Sequence, residues 1–230
     1  TESITVDGQE LKTEVDNTVM KVWLSTPLKP GESMKFNIKF KTYFDFETIR
    51  NRMKLFGAFG YKHFDMVHWY PRISVYDAKQ GWDTDQHMDH EFYGDFGSFH
   101  VELTLPNYYI GDGTGVLKNE SEVLPTDVRQ KLDISNFAKK EWNSAPGEGV
   151  KPDGSFKTWI FGAINVHDAA YTFDPTYRIG EVMSANGVKC MVLVQEPHAR
   201  HWQNGTKYVA KIIETNSKNI GPYAYPKMIA

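Results

Sequence analysis

Phe99-His100-Val101-Glu102-Leu103-Thr104-Leu105-Pro106 decides the fold class of this chain. Phe99, Val101, Leu103 and Leu105 fall on one side of an extended backbone, and His100, Glu102 and Thr104 fall on the other. Strict period-two alternation is the pattern of a strand with one buried and one wet face. The same alternation recurs in "MKFNIKFKTYF", where Met34, Phe36, Ile38 and Phe40 interleave with Lys35, Asn37, Lys39 and Lys41. Before it, "VMKVWLSTPLKPGES" reads as a strand with Met20, Val22 and Leu24 inward, followed by a Pro-Gly turn. Two later runs, "FKTWIFGAINV" and "GVKCMVLVQ", read as further strands, the second more fully buried.

Composition agrees with a β-rich reading. Of 230 residues 14% are aromatic, a high share that suits pleated, half-buried surfaces. A net charge of −3 gives no electrostatic reason to expect nucleic acid or an anionic membrane as partner. No apolar run is long enough for a transmembrane segment. The single cysteine, Cys190, lies in the most apolar strand and reads as a buried structural thiol.

Two helices are expected. Thr126-Asp127 is a capping signal for a segment running to about Trp142, with Val128, Leu132, Phe137 and Trp142 loosely periodic. A second begins after Asn204-Gly205-Thr206, with Tyr208, Val209, Ile212 and Ile213 forming one face, and stops at Gly221-Pro222. Neither repeats nor linkers interrupt the chain, so residues 1–230 are expected to form one β-sandwich-like domain with one or two short helical insertions. "GDGTG", Gly111 to Gly115, leads into no helix and reads as a turn rather than a phosphate loop.

Candidate chemistry is sparse. "QHMDHE" offers His87, His90 and Glu91 as weak metal-ligand candidates. The imidazoles are three apart and the Glu follows the second, which matches neither H-E-x-x-H nor H-x-x-E-H. The alternative is a polar loop entering a strand. In "YKHFDMVHWYP", period two puts His63, Asp65 and Val67 on one side and Phe64, Met66 and His68 on the other. His167-Asp168 is a candidate acid–base pair, with a structural role in a turn the expected reading, and His198 and His201 are a further three-apart pair on a loop. Asn119-Glu120-Ser121 and Asn204-Gly205-Thr206 are formal glycosylation sequons of little weight.

Several segments, in order, resemble the N-terminal domain of the aminopeptidase N family, the gluzincin zinc peptidases. "PLKPGESMKFNIKFKTYF" resembles a strand of that domain reached through an x-L-x-x-G-x turn. "HWYPRISVYDAKQGW" is similar to its Trp-Tyr-Pro segment followed by Tyr-Asp, in the form of a bacterial branch. "HEFYGDFGSFHVELTLPNYYIGDGTGVL", "INVHDAAYTFDPTY" and "IGPYAYPKM" resemble three later segments, the last closing the domain. The resemblance implies a saddle-like β-sandwich cut at both ends, with a catalytic zinc domain following residue 230. H-E-x-x-H and G-x-M-E-N have no match here, so it implies no catalytic residue and no cofactor in this chain; zinc would belong to the following domain. The implied partners are that C-terminal catalytic domain and a peptide substrate. In many members the N-terminal domain helps hold the substrate's free amine, and by position Asp65 is the acidic candidate, with His68 second. The compartment stays open, with an extracellular or periplasmic setting expected ahead of the cytoplasm. Two other classes remain: a stand-alone β-sandwich binding module for carbohydrate or protein using Trp69, Trp82 and Tyr93, and a small metal hydrolase built on His87, His90 and Glu91.

Overall fold

The computed structural model describes residues 1–46, 53–85 and 93–230. It is mainly β, 38% strand against 17% helix, with several antiparallel sheets and few short helices, consistent with a β-sandwich-like fold. Contacts divide the chain into two compact units, one of Thr1–Tyr43 and Trp69–Phe96, the other of Phe44–His68 and Gly97–Ala230. Among the described residues no helix is long and apolar enough to cross a membrane, which says nothing of crossing by strands.

The smaller unit is built from hairpins. Ser3–Val6 pairs with Gln9–Glu10 through Asp7-Gly8, both at positive φ (50° and 80°). That is the backbone of a type I′ turn, whose twist matches the flanking strands. Phe36–Lys39 completes a three-stranded sheet on the other edge of Ser3–Val6, with Ile4 opposite Ile38. The alternation read around it is real but shallow. Met34, Phe36 and Phe40 are half-buried, and Ile38 is 36% exposed, because so small a sheet covers its inner face incompletely.

Among the described residues the larger unit holds three sheets. A five-stranded one runs Ile110–Gly113, Tyr171–Asp174, Tyr61–Met66, Lys54–Ala58, Asp45–Phe46. A second joins Gly97–Pro106 to Phe156–Val166 along nearly their whole length, with Val116–Leu117 on the far edge. Val101 and Leu103 are buried and Phe99 and Leu105 half-buried, while His100, Glu102 and Thr104 are exposed, as the alternation requires. The third comprises Tyr177–Met183, Lys189–Gln195 and, parallel to the latter, Lys227–Ile229. Trp159, Phe161, Phe173, Ile110 and Leu132 are among the fully buried side chains.

Three local expectations are corrected. The helix expected from Thr126 to about Trp142 stops at Lys131 and is followed by a 3-10 turn, Ile134–Phe137. Asp133 breaks it: its carboxylate accepts the backbone N–H of Ser135, and its backbone bridges to Ile179, a tertiary contact that outweighs helix continuation. Gly205–Asn219 is helical, but the buried stripe is Val209, Ala210 and Ile213 against Val188, Cys190, Val192 and Val194. Tyr208 and Ile212 are turned outward, 66% and 54% exposed, so the apolar face read from the sequence is rotated. Finally, "GDGTG" is only partly a turn. Gly111 and Gly113 lie inside the strand Ile110–Gly113, and only Gly115 has the left-handed backbone, φ +88°.

Gly111 is required by contact rather than by φ. A Cβ there would meet the Thr172 carbonyl oxygen at 2.1 Å and the Phe173 ring at 2.4 Å. Gly111→Ala should therefore cost about 3 kcal/mol, at the upper end of overpacking costs, since a ladder carbonyl cannot step aside. Gly57→Ala, in a strand with open space around it, is the control and should be near neutral. Urea unfolding of both variants decides the point; equal midpoints would contradict it.

Candidate functional site

The strand Tyr61–Met66 sits between Tyr171–Asp174 and Lys54–Ala58, with Asp65 opposite Thr172 on one side and Lys54 on the other. Period two places His63 and Asp65 on the same face, and the structure joins them. His63 Nε2 lies 3.0 Å from Asp65 Oδ1, and its Nδ1 lies 3.0 Å from Asp174 Oδ2. Both partners are carboxylates, so an imidazolium that donates from both nitrogens satisfies the arrangement. Phe56 stacks on the ring at 4.3 Å and Tyr177 meets it edge-on at 5.6 Å.

Asp174 is fully buried and saturated. One oxygen accepts the Thr176 backbone N–H and hydroxyl, each at 2.7 Å, and the other accepts the Gln195 amide at 2.7 Å in addition to His63. Burial alone would depress the His63 pKa, but hydrogen bonds and charge from Asp174 and Asp65 outweigh it and raise it to about 9. Burial tends to raise both aspartates; His63 and the other donors more than offset this and hold each below the ordinary carboxylate value.

Asp65 opens onto a cleft of about 1260 Å³, lined also by Phe99, Ile164, Tyr171, Tyr177 and Met228 and confined to the larger unit. Three aspartates reach the lining, each with a basic partner. Asp112 accepts from Lys227 Nζ at 2.6 Å and is only 7% exposed; burial pushes its pKa up against that lysine. Asp168 Oδ2 lies 3.3 Å from His68 Nδ1 and is 21% exposed. The Asp65 side chain, 36% exposed, is the most accessible of the three.

His68 has a positive φ of 54° and is tied to Asp168 rather than joined to Asp65; it lies outside the cleft lining. Asp168 reaches this His instead of its neighbour His167, and its other oxygen accepts the Ala169 N–H at 2.7 Å within the turn. His198 and His201 ride on the 3-10 helix Glu196–Trp202, with both rings against Trp142 at 4.3 and 5.0 Å. His87, His90 and Glu91 lie outside the described residues. Among the described residues no three His, Cys, Asp or Glu side chains are grouped to hold a metal ion.

Each aromatic candidate is engaged by a neighbour in the smaller unit. Trp82 is tilted by 57° against Tyr76 at 5.0 Å, Trp69 packs beside Phe40 at 6.3 Å, and the Tyr93 hydroxyl donates to Asp77 at 2.5 Å.

Sequence reasoning missed Asp174. The Asp-Pro-Thr signature was visible, and its Asx turn, Asp174 accepting from Thr176 two residues on, follows from it. The bond to His63, 111 residues away, does not.

No protein-family model matches the chain, and no curated protein matches it. Fold and site together define a mainly β protein whose larger unit carries an open, largely apolar cleft with a clamped carboxylate at its wall.

Proposed function

We propose that this chain is the non-catalytic N-terminal domain of an aminopeptidase-like zinc metallopeptidase, forming a wall of the peptide-substrate cleft. The observation that carries the reading is Asp65: the most exposed aspartate of a large apolar cleft, with its other oxygen engaged by His63. A carboxylate so placed accepts hydrogen bonds from a primary ammonium group, and the apolar walls accommodate the side chain next to it. His68, the second candidate, stands 3.3 Å from Asp168 and outside the cleft lining, which favours Asp65 over it as the amine site. The order of segments similar to the aminopeptidase N family supports the same reading. In it, zinc chemistry, polarisation of the scissile carbonyl and activation of water, belongs to the catalytic domain after residue 230.

The test uses leucinamide, with a free amine, and N-acetyl-leucinamide, without one, followed by NMR shift perturbation on the 230-residue chain. Leucinamide should bind at the cleft and the acetylated compound should not. Asp65→Asn should weaken binding about tenfold or more, the cost of losing a charge-assisted bond. Asp168→Asn should weaken it less. The chain alone should not hydrolyse leucine p-nitroanilide, and chelator-sensitive hydrolysis by it would overturn the assignment.

A further inference from the structure

The amine-binding reading uses only the outer carboxylate of a three-member chain. Behind Asp65 stands His63, and behind His63 stands a second carboxylate, Asp174, which Thr176 and Gln195 fix from the buried side. The ring is further held by Phe56 and Tyr177. An isolated surface aspartate would rotate freely about its side-chain torsions and present its oxygens in many directions. Here the carboxylate is held by a ring that cannot turn and by the Thr172 hydroxyl on the paired strand, so the lone pairs left over have one direction.

We propose that His63 is the positioning residue of this site: clamped by Asp174, it holds the Asp65 carboxylate ionised and oriented toward the cleft, where a primary ammonium ligand is received. The proposal rests on the amine-binding reading above, and extends it to residues that never touch the ligand. The charged and titratable groups around His63 are Asp65 on its own strand, Lys54 across the ladder, Asp174 on the neighbouring strand and Tyr177 on the next sheet. With His63 and Lys54 cationic, the two aspartates are balanced before a ligand arrives. A ligand ammonium is then recognised by orientation and not by a bare excess of negative charge.

The experiment is the pH dependence of leucinamide binding by wild type and His63→Gln, with the Asp65 carboxyl carbon titrated by NMR in the same samples. In wild type, affinity should hold steady from pH 7 down through pH 4, because His63 keeps Asp65 ionised. In His63→Gln the imidazolium is lost and only the Thr172 hydroxyl and the Lys54 charge still oppose burial, so Asp65 titrates at higher pH than in wild type. Its affinity should then be about tenfold weaker at neutral pH, with the acid limb displaced upward. A merely structural role lowers affinity at every pH without moving that limb. An unmoved limb and carboxyl titration in a folded variant overturn the proposal. If wild type fails to bind leucinamide, the amine-binding reading falls, whereas the carboxyl titration still tests whether His63 sets the state of Asp65. Should His63→Gln not fold, wild type alone decides. Both His63 ring nitrogens must be protonated at pH 7, and the Nε2–H signal must shift with leucinamide and not with its acetylated form. A neutral ring or an unresponsive signal overturns the proposal.

Discussion

Glu196→Ala is expected to destabilise the chain by about 3–5 kcal/mol, the range for breaking a buried ion pair by removing one partner. Glu196 and Arg178 are each 1% exposed and joined side chain to side chain. Glu196 also accepts from Lys140 Nζ at 2.7 Å and from the Gly147 backbone N–H at 2.8 Å. Arg178 donates to the carbonyls of Tyr177 at 2.8 Å and Gly147 at 3.1 Å, and lies 4.9 Å over the Phe137 ring. Removing the glutamate leaves the guanidinium buried without its counter-charge and frees the loop at Gly147. Lys140→Ala should cost much less, because Lys140 is partly exposed and Arg178 still balances Glu196. The pair Arg178→Met with Glu196→Leu should recover most of the loss, since the penalty is an uncompensated charge and not missing volume. Urea unfolding of the four chains gives the comparison, and a loss under 1 kcal/mol for Glu196→Ala would refute it.

Raising the pH should also weaken the fold. The folded-state pKa of His63, about 9, lies above the ordinary 6.5. Its contribution is therefore complete below pH 6.5, declines as pH rises toward 9, and is absent above that. The shift corresponds to roughly 2–3 kcal/mol after allowance for solvent screening at the cleft wall. Lys157 works in the opposite sense. Burial lowers Lys157 to about 8, so its unfavourable buried charge is relieved as pH climbs from 8 toward 10.5. Between pH 6.5 and 8 the His63 contribution is read as the difference between wild type and His63→Gln. Stability should fall steadily there in wild type, and the fall should be absent in His63→Gln. On the acid side the signs reverse. Asp65 and Asp174 are held below the ordinary 3.8, so their contribution stands above that value and is lost as pH falls through their folded-state range. A pH profile with the same slope in both proteins between 6.5 and 8 would refute the assignment.

How much was legible depended on how local each cause is. The strands Gly97–Pro106, Phe156–Val166 and Lys189–Gln195 were readable because alternation and apolar runs are properties of neighbouring residues. The break at Asp133 was not, because the group that competes with the helix is Ile179, 46 positions on in the numbering. The same holds on the helix Gly205–Asn219. Its existence was evident, but which of two adjoining stripes is buried was settled by the sheet it packs on. Gly111 looked like turn chemistry when its reason is a carbonyl of the neighbouring strand.

The candidate site divides in the same way. Sequence alone determined the mainly β class, the absence of a self-contained zinc-helix motif, and the common face of His63 and Asp65, since two-residue periodicity dictates all side chains of a strand. Tertiary structure alone decided that this face meets Asp174, that Asp65 is the most open aspartate of the cleft, and that His68 is engaged by Asp168. The physical reason is range. Backbone sterics and side-chain alternation act over a few residues, whereas the charge state of His63 depends on a carboxylate that only strand pairing brings within 3.0 Å.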